Sequence, residues 1–341
     1  MDEALLTPLF DDVGSFPLPE GMSRVDVNTD DPAAVQRYLD VVEQAMWMKV
    51  CAGVEVPTYP QFRDMNRMFL DIIEDPSKCT EPLAVNDESA AILELEAVER
   101  VARRWRREQG KTLGVRVCIT GPVELYLALF GPSNYPDVLL QLARSISAFI
   151  RHACTAHRLD VKVVSLDEPS LGLNPSIMLA EDDILDALDR AVKGCRADVQ
   201  IHLHSPLYYE LGCMSSVDVV GVECASDPSS LEMIDRAVLE HTDTYLRVGI
   251  ARTDIHSMAA QLSERYGANV WKVPELLEKL VSELETPEVI LSRLERAHRM
   301  FGDRIRYVGP DCGLGAWPSQ RIAAALLSNV RRAVDVWRNT E

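Results

Sequence analysis

The feature that most constrains this chain is an alternation repeated along its length: a short β-branched run, a polar or Gly/Pro motif, then a longer amphipathic stretch. The runs that read as strands are Asp12–Phe16, Gly53–Thr58, Gly114–Thr120, Val161–Leu166, Val199–His204, Val217–Glu223, Tyr245–Ile250 and Arg304–Val308. Between them lie helical patterns, among them Pro32–Val50, Glu88–Glu108, Tyr135–His157, Ala180–Lys193, Pro228–Glu240, Val273–Phe301 and Ser319–Arg338. Every connection is long enough to cross over, so the strands can all run parallel. Eight strands alternating with helices predict an α/β chain folded as one (β/α)₈ barrel, a TIM barrel, over residues 1–341. A doubly wound open sheet is the competing arrangement, and the count of eight favours the barrel. No Ser/Gly-rich linker or abrupt charge shift divides the chain, and residues 58–80 read as an enlarged loop within the one domain.

Composition narrows the partners. The chain is 47% hydrophobic and 26% charged, the balance of a soluble globular protein. A formal charge of −18 argues against nucleic acid or an anionic membrane, both of which select basic surface. Met1–Phe10 carries acidic residues and no basic segment, unlike a signal peptide, and no apolar run reaches the ~20 residues of a membrane span. Eight cysteines lie scattered without a disulfide-like spacing, so reduced thiols and a cytoplasmic location are expected.

The polar motifs recur where strands end. In order they are Gly14-Ser15-Phe16-Pro17, Pro57-Thr58-Tyr59-Pro60, Thr120-Gly121-Pro122, Asp167-Glu168-Pro169-Ser170 and His202-Leu203-His204-Ser205-Pro206. Glu223-Cys224-Ala225-Ser226, Ala251 to His256, and Gly309-Pro310-Asp311-Cys312-Gly313 follow. Any one of them is explained as a turn or a helix cap. That account leaves unexplained why His, Glu, Asp and Cys return at the same strand end, which in a barrel is the active-site mouth. His202 and His204, two apart on a strand, face the same way. Glu223 ends an apolar strand, where an unpaired carboxylate is costly, and Cys312 ends the last one. Together they offer the N, O and S donors that zinc accepts.

These motifs, in this order and over essentially the whole chain, resemble the catalytic barrel of cobalamin-independent methionine synthases in their single-barrel, archaeal-type form. The segments that carry the resemblance are Gly14–Pro17, Asp167–Pro169, Glu223, Asp254-Ile255-His256-Ser257 and Pro310–Leu314. The resemblance implies a zinc-dependent methyltransferase acting on a thiol, homocysteine first, with His202, Glu223 and Cys312 as metal ligands. His204 stands where the family has a cysteine; Cys213 and Cys224 are the other sulfurs in the region, and Cys224 should face the opposite side of its strand. A neutral imidazole in place of a thiolate makes the site less negative, the zinc a stronger Lewis acid and a bound thiolate less nucleophilic. Carried over further, Asp167 grips the acceptor's amino group, Glu168 belongs with it on the substrate side, Ser15 lies near the acceptor carboxylate, and His256 is the general acid, with Asp254 beside it in the catalytic set.

Two departures open alternatives. The family's second ammonium-binding carboxylate, a Glu preceding Asp-Met, is missing from Thr58–Met65, so an amine-free thiol such as coenzyme M is a rival acceptor. The chain also lacks the additional barrel that helps bind polyglutamylated methyltetrahydrofolate in full-length synthases, which favours methylcobalamin on a corrinoid protein as the donor. A zinc hydrolase is a different class; Cys312 as ligand, and a His-x-His pair away from strand one, speak against it. The third class is a non-catalytic relative that binds a corrinoid protein or a metal.

Overall fold

The computed structural model describes residues 7–23, 27, 31–155 and 158–340. Residues 1–6, part of the N-terminal reading above, and His157, the expected end of one helix, lie outside them. The described strands are β1 (Leu9–Phe10), β2 (Cys79–Glu81), β3 (Ala84–Val85), β4 (Gly114–Thr120), β5 (Asp160–Asp167), β6 (Asp198–Leu203), β7 (Val219–Val222), β8 (Tyr245–Ala251) and β9 (Ile305–Pro310). Seven of these form one curled parallel sheet in the order β1-β9-β8-β7-β6-β5-β4. β2 and β3 make a small antiparallel hairpin in the enlarged loop.

Six of the expected strands correspond to elements within a few residues. The first two differ. The opening strand is Leu9–Phe10, before the expected Asp12–Phe16, which instead forms the stretch carrying Asp11–Ser15 past the strand end. The segment expected as the second strand holds only single parallel bridges, Val56 with Asp11 on one side and Thr58 with Arg116 on the other. It therefore runs between the two edge strands of the sheet.

Helices cover the convex face, and their limits follow local chemistry. Asp31 accepts from the amides of Ala33 and Ala34 ahead of Pro32, starting the helix Pro32–Cys51. The expected helix over 273–301 is broken into Pro274–Leu277, a π turn at Leu280–Leu284 and Pro287–Phe301. Pro287 has no amide to donate and holds Thr286 extended, and the Thr286 side chain then caps the new helix at Val289 N. Likewise 228–240 splits into a 3₁₀ turn at Pro228–Met233 and a helix Arg236–His241 capped by Asp235. No helix among the described residues is long and apolar enough to cross a membrane.

The concave face is built in layers. Val56, Val163, Val219 and Tyr307, with Tyr245 against them, form a small apolar cluster separate from the main core. Two residues further along, the same face carries Thr58, Ser165 and Arg247, with glycines at 221 and 309. Arg247 Nε lies 2.9 Å from Asp11 Oδ1, and Arg116 donates to Asp12 O (2.6 Å) and Ser165 Oγ (2.7 Å). Both guanidinium groups are fully buried. Gly309 makes room for this layer, since a Cβ there would meet Asp11 O and come within 2.8 Å of Arg247 Nη2.

Candidate metal centre

Above the arginine layer, at the C-terminal ends of the strands, four side chains converge. His202 is on β6 and His204 just past it; Glu223 follows β7 and Cys312 follows β9. Cys312 Sγ lies 3.5 Å from His204 Nε2 and 3.7 Å from His202 Nε2. Glu223 Oε1 lies 3.4 Å from His204 Nε2 and 3.8 Å from His202 Nε2. One donor atom from each of the four falls within 4.8 Å of the others. Donors bound at about 2.0–2.3 Å around a tetrahedral zinc stand roughly 3.3–3.7 Å apart, so most of these separations are already tetrahedron edges.

The protonation chemistry agrees with a site made for a cation. Burial first, then the neighbouring His204, Arg116 and Arg247, hold His202 well below the usual imidazole range, and burial lowers His204 too. Both rings are thus neutral with lone pairs available, and their contacts with Glu223 are not ion pairs. Burial and the field of Asp311 push Glu223 up to about 7, while the hydrogen bond with Cys312 lowers it. Burial, then the charge of Glu223, pushes the Cys312 thiol up. Glu223 Oε1 is buried without a hydrogen-bond partner. A divalent ion would reverse the cost of ionising both groups.

The loops are pinned from beneath. Asp311 accepts from the amides of Cys224 (2.9 Å), Ala225 (2.8 Å) and Ser226 (2.9 Å) and from Ser226 Oγ (3.0 Å), tying the chain after Glu223 to the residue before Cys312. A Cβ on Gly249 would collide with the Asp311 carboxylate. Ser15 accepts from Leu314 N through its carbonyl (2.8 Å) and from Gly315 N through Oγ (3.3 Å), which fixes the far side of the Cys312 loop. Cys224 donates to Gly249 O at 3.1 Å, facing away from Glu223.

The other residues singled out in the sequence lie at strand ends or in the helix that follows. Asp167 is buried, accepts from Ser165 Oγ at 2.8 Å and lies close enough to raise the Cys312 thiol. Glu168 accepts from Val123 N (2.9 Å) and Glu124 N (2.7 Å), capping the helix Pro122–Phe130; burial pushes it up to about 8. Asp254 pairs with Arg252 through both oxygens (2.9 and 2.7 Å) and precedes the helix Ile255–Tyr266. His256 is exposed, its ring 5.7 Å from that of Trp271. One side chain escaped sequence reasoning: Glu124, whose Oε2 is buried without a partner, whose Oε1 accepts from Asn66 Nδ2 at 3.4 Å, and whose charge acts on His204. In sequence it is an ordinary first-turn acid after Thr-Gly-Pro.

No family model matches the chain. It is 25% identical over 259 residues to a methionine synthase of Pyrococcus abyssi, an alignment covering 74% of this chain and 66% of that one. It is also 25% identical over 230 residues to a 5-methyltetrahydropteroyltriglutamate–homocysteine methyltransferase of Halalkalibacterium halodurans, covering 64% of this chain and 26% of that one. The matches thus span just under two thirds of the first relative's length and about a quarter of the second's. Among solved structures, a B12-independent methionine synthase from a Shewanella species, in complex with selenomethionine, superposes with a TM-score of 0.67 at 13% identity, covering 98% of each chain. That likeness is one of fold, a TIM-barrel-like architecture.

Proposed function

We propose that the chain is a member of the cobalamin-independent methionine synthase family, a reading its likeness to two relatives supports, and that it is a zinc-dependent methyltransferase with a thiol acceptor. The fold is read as a single (β/α)₈ catalytic domain in which residues 53–58, bridged on both sides, are the eighth strand. The observation that carries the function is the convergence of two neutral imidazoles, a carboxylate and a thiol at tetrahedral spacing.

His202, His204, Glu223 and Cys312 would hold the metal. Zinc there supplies a Lewis acid that keeps a coordinated thiol deprotonated at neutral pH. The chain's own groups then select and orient the acceptor. Asp167 and Glu124 bring two carboxylates to the mouth, and Glu124 has an oxygen free of protein partners. This pair favours a thiol that carries an ammonium group, homocysteine, over an amine-free acceptor such as coenzyme M, and it offsets the carboxylate missing from the second loop. Ser15 acts through the Cys312 loop as well as towards the acceptor carboxylate. His256, with Asp254 at the start of its helix, is the exposed group able to exchange a proton with solvent and the mouth.

The preferred methyl donor is methylcobalamin on a corrinoid protein, with methyltetrahydrofolate as the other. The test is thiol-dependent loss of methyl from methylcobalamin, followed by the corrinoid colour change, run in parallel with methyltetrahydrofolate over homocysteine and coenzyme M. Methionine formation with either donor supports the reading. Transfer to coenzyme M alone moves the acceptor, and no thiol-dependent turnover with any pair overturns it.

A further inference from the structure

At the end of the sheet opposite the metal centre the chain holds a second sulfur site. Cys154 is in the last turn of the helix Pro136–Thr155, which leads into β5; Cys195 follows the helix Glu181–Val192, in the turn that leads into β6. β5 and β6 pair directly, so the two turns adjoin at the N-terminal rim. The two thiols are close enough to shift each other's ionisation, neither is fully buried, and both line one open cavity of about 430 Å³. Arg151, Lys193 and Arg196 line the same cavity, with Asp160 as its single acid. Arg151 is ion-paired with Asp87 (2.6 Å) and Asp218 lies close enough to raise Cys195, so the excess of positive charge in the cavity comes from Lys193 and Arg196.

The pairing makes the two sulfurs unequal. The neighbouring Cys154 lowers the Cys195 thiol against the effect of burial, while Cys154 is itself pushed up. By contrast, burial raises the thiol of the exposed Cys51, with Arg104 opposing the shift and Glu108 adding to it. A thiol lowered towards its thiolate, partial exposure and an adjacent second thiol are what disulfide exchange requires.

We propose that Cys154 and Cys195 form a thiol–disulfide exchange site for anionic low-molecular-weight disulfides, the cations of the cavity drawing the carboxylates of the reagent. Cys195 thiolate attacks one sulfur of the disulfide, forming a mixed disulfide and releasing one thiolate. Cys154 then attacks the protein sulfur of that mixed disulfide, releasing the second thiol and closing a Cys154–Cys195 bond. Two protein thiols are oxidised and one small disulfide is reduced to two thiols. The closed bond ties together the turns before β5 and β6, away from the mouth.

The experiment treats the whole chain with glutathione disulfide, which is anionic, or cystamine, which is cationic, and maps modified peptides by mass over time. Cys195 should react with glutathione disulfide about tenfold faster than Cys51 does, ending as a linked Cys154–Cys195 peptide lighter by two hydrogens. Cys154→Ser should stop at the mixed disulfide on Cys195. Lys193→Glu with Arg196→Glu should slow glutathione disulfide and quicken cystamine. Reaction at Cys195 no faster than at Cys51, equal rates with the two reagents, or a wild-type chain that stays at the mixed disulfide would each overturn the proposal.

Discussion

The concave face carries two layers of buried polar groups, one above the other, and they are neutralised in different ways. In the lower layer the chain supplies both signs: Arg247 faces Asp11, and Lys49 Nζ lies 2.6 Å from Asp12 Oδ2 while donating to Gly14 O and Thr58 O. Some atoms there, such as Asp11 Oδ2 and Arg116 Nε, still lack partners, so the balance is of charge rather than bond by bond. In the upper layer His202, His204, Glu223 and Cys312 turn lone pairs towards one another, and burial disfavours the charged form of all four. The lower layer is complete as folded, whereas the upper one gains most from an ion brought from outside. Buried polarity alone therefore does not mark a site; buried polarity of one kind does.

The comparison breaks most visibly in the lower layer. Arg247→Met leaves the fully buried Asp11 with only the longer 3.9 Å contact to Arg116 and should cost about 3 kcal/mol in denaturant unfolding. Adding Asp11→Asn should recover part of that loss, and a single variant as stable as wild type would mean the pair is not needed. In the upper layer Cys312→Ala should leave unfolding stability of the metal-free chain within about 1 kcal/mol, because no cation there is left unpaired. Its zinc affinity should fall by more than the roughly 10–100-fold typical of losing an outer-shell partner, read by chelator competition. His204→Cys should keep zinc, since the position faces the other three donors, and His204→Ala should weaken it. Equal affinities for wild type and His204→Ala would remove His204 from the coordination sphere.

Between the layers, Asp311→Ala removes four hydrogen bonds from the segment after Glu223 without touching a ligand. Zinc affinity should drop by about 10–100-fold, and an unchanged affinity would show that β7 alone positions Glu223. The smallest effect is in pH. Glu223 keeps its proton up to about 7 in the metal-free chain, so lowering the pH through that value should weaken zinc binding and raising it should release fewer protons on binding. The same raised carboxyl stabilises the metal-free fold at acid pH, and that contribution is lost as pH climbs through about 7. Calorimetry in buffers of different ionisation enthalpy measures the proton count.

How much of this is legible without coordinates depends on the range of the interaction. The six later sheet strands follow from β-branched runs, because a strand buried on both faces needs apolar side chains at almost every position. The first two strands fail that test. Asp11 and Asp12 look like a strand boundary, yet they sit beside β1 with their carboxylates turned to Arg247 and Lys49, partners more than thirty residues away in sequence. The broken helix at 273–301 was legible in principle from Pro287, whose effect on Thr286 is local.

The sequence by itself determined the donor types, their positions at successive strand ends and the common facing of His202 and His204, because the two-residue period of a strand is a local property. It also carried the family resemblance through motifs that survive as short runs. Only the tertiary structure decided that these four side chains bring their donor atoms within 4.8 Å of one another, that Ser15 and Asp311 hold the Cys312 and Glu223 loops, that Glu168 caps a helix, and that Glu124 keeps a buried oxygen without a hydrogen-bond partner. Those facts depend on the curl of the sheet, which sets residues from different strands at contact distance, and no single stretch of sequence contains that distance.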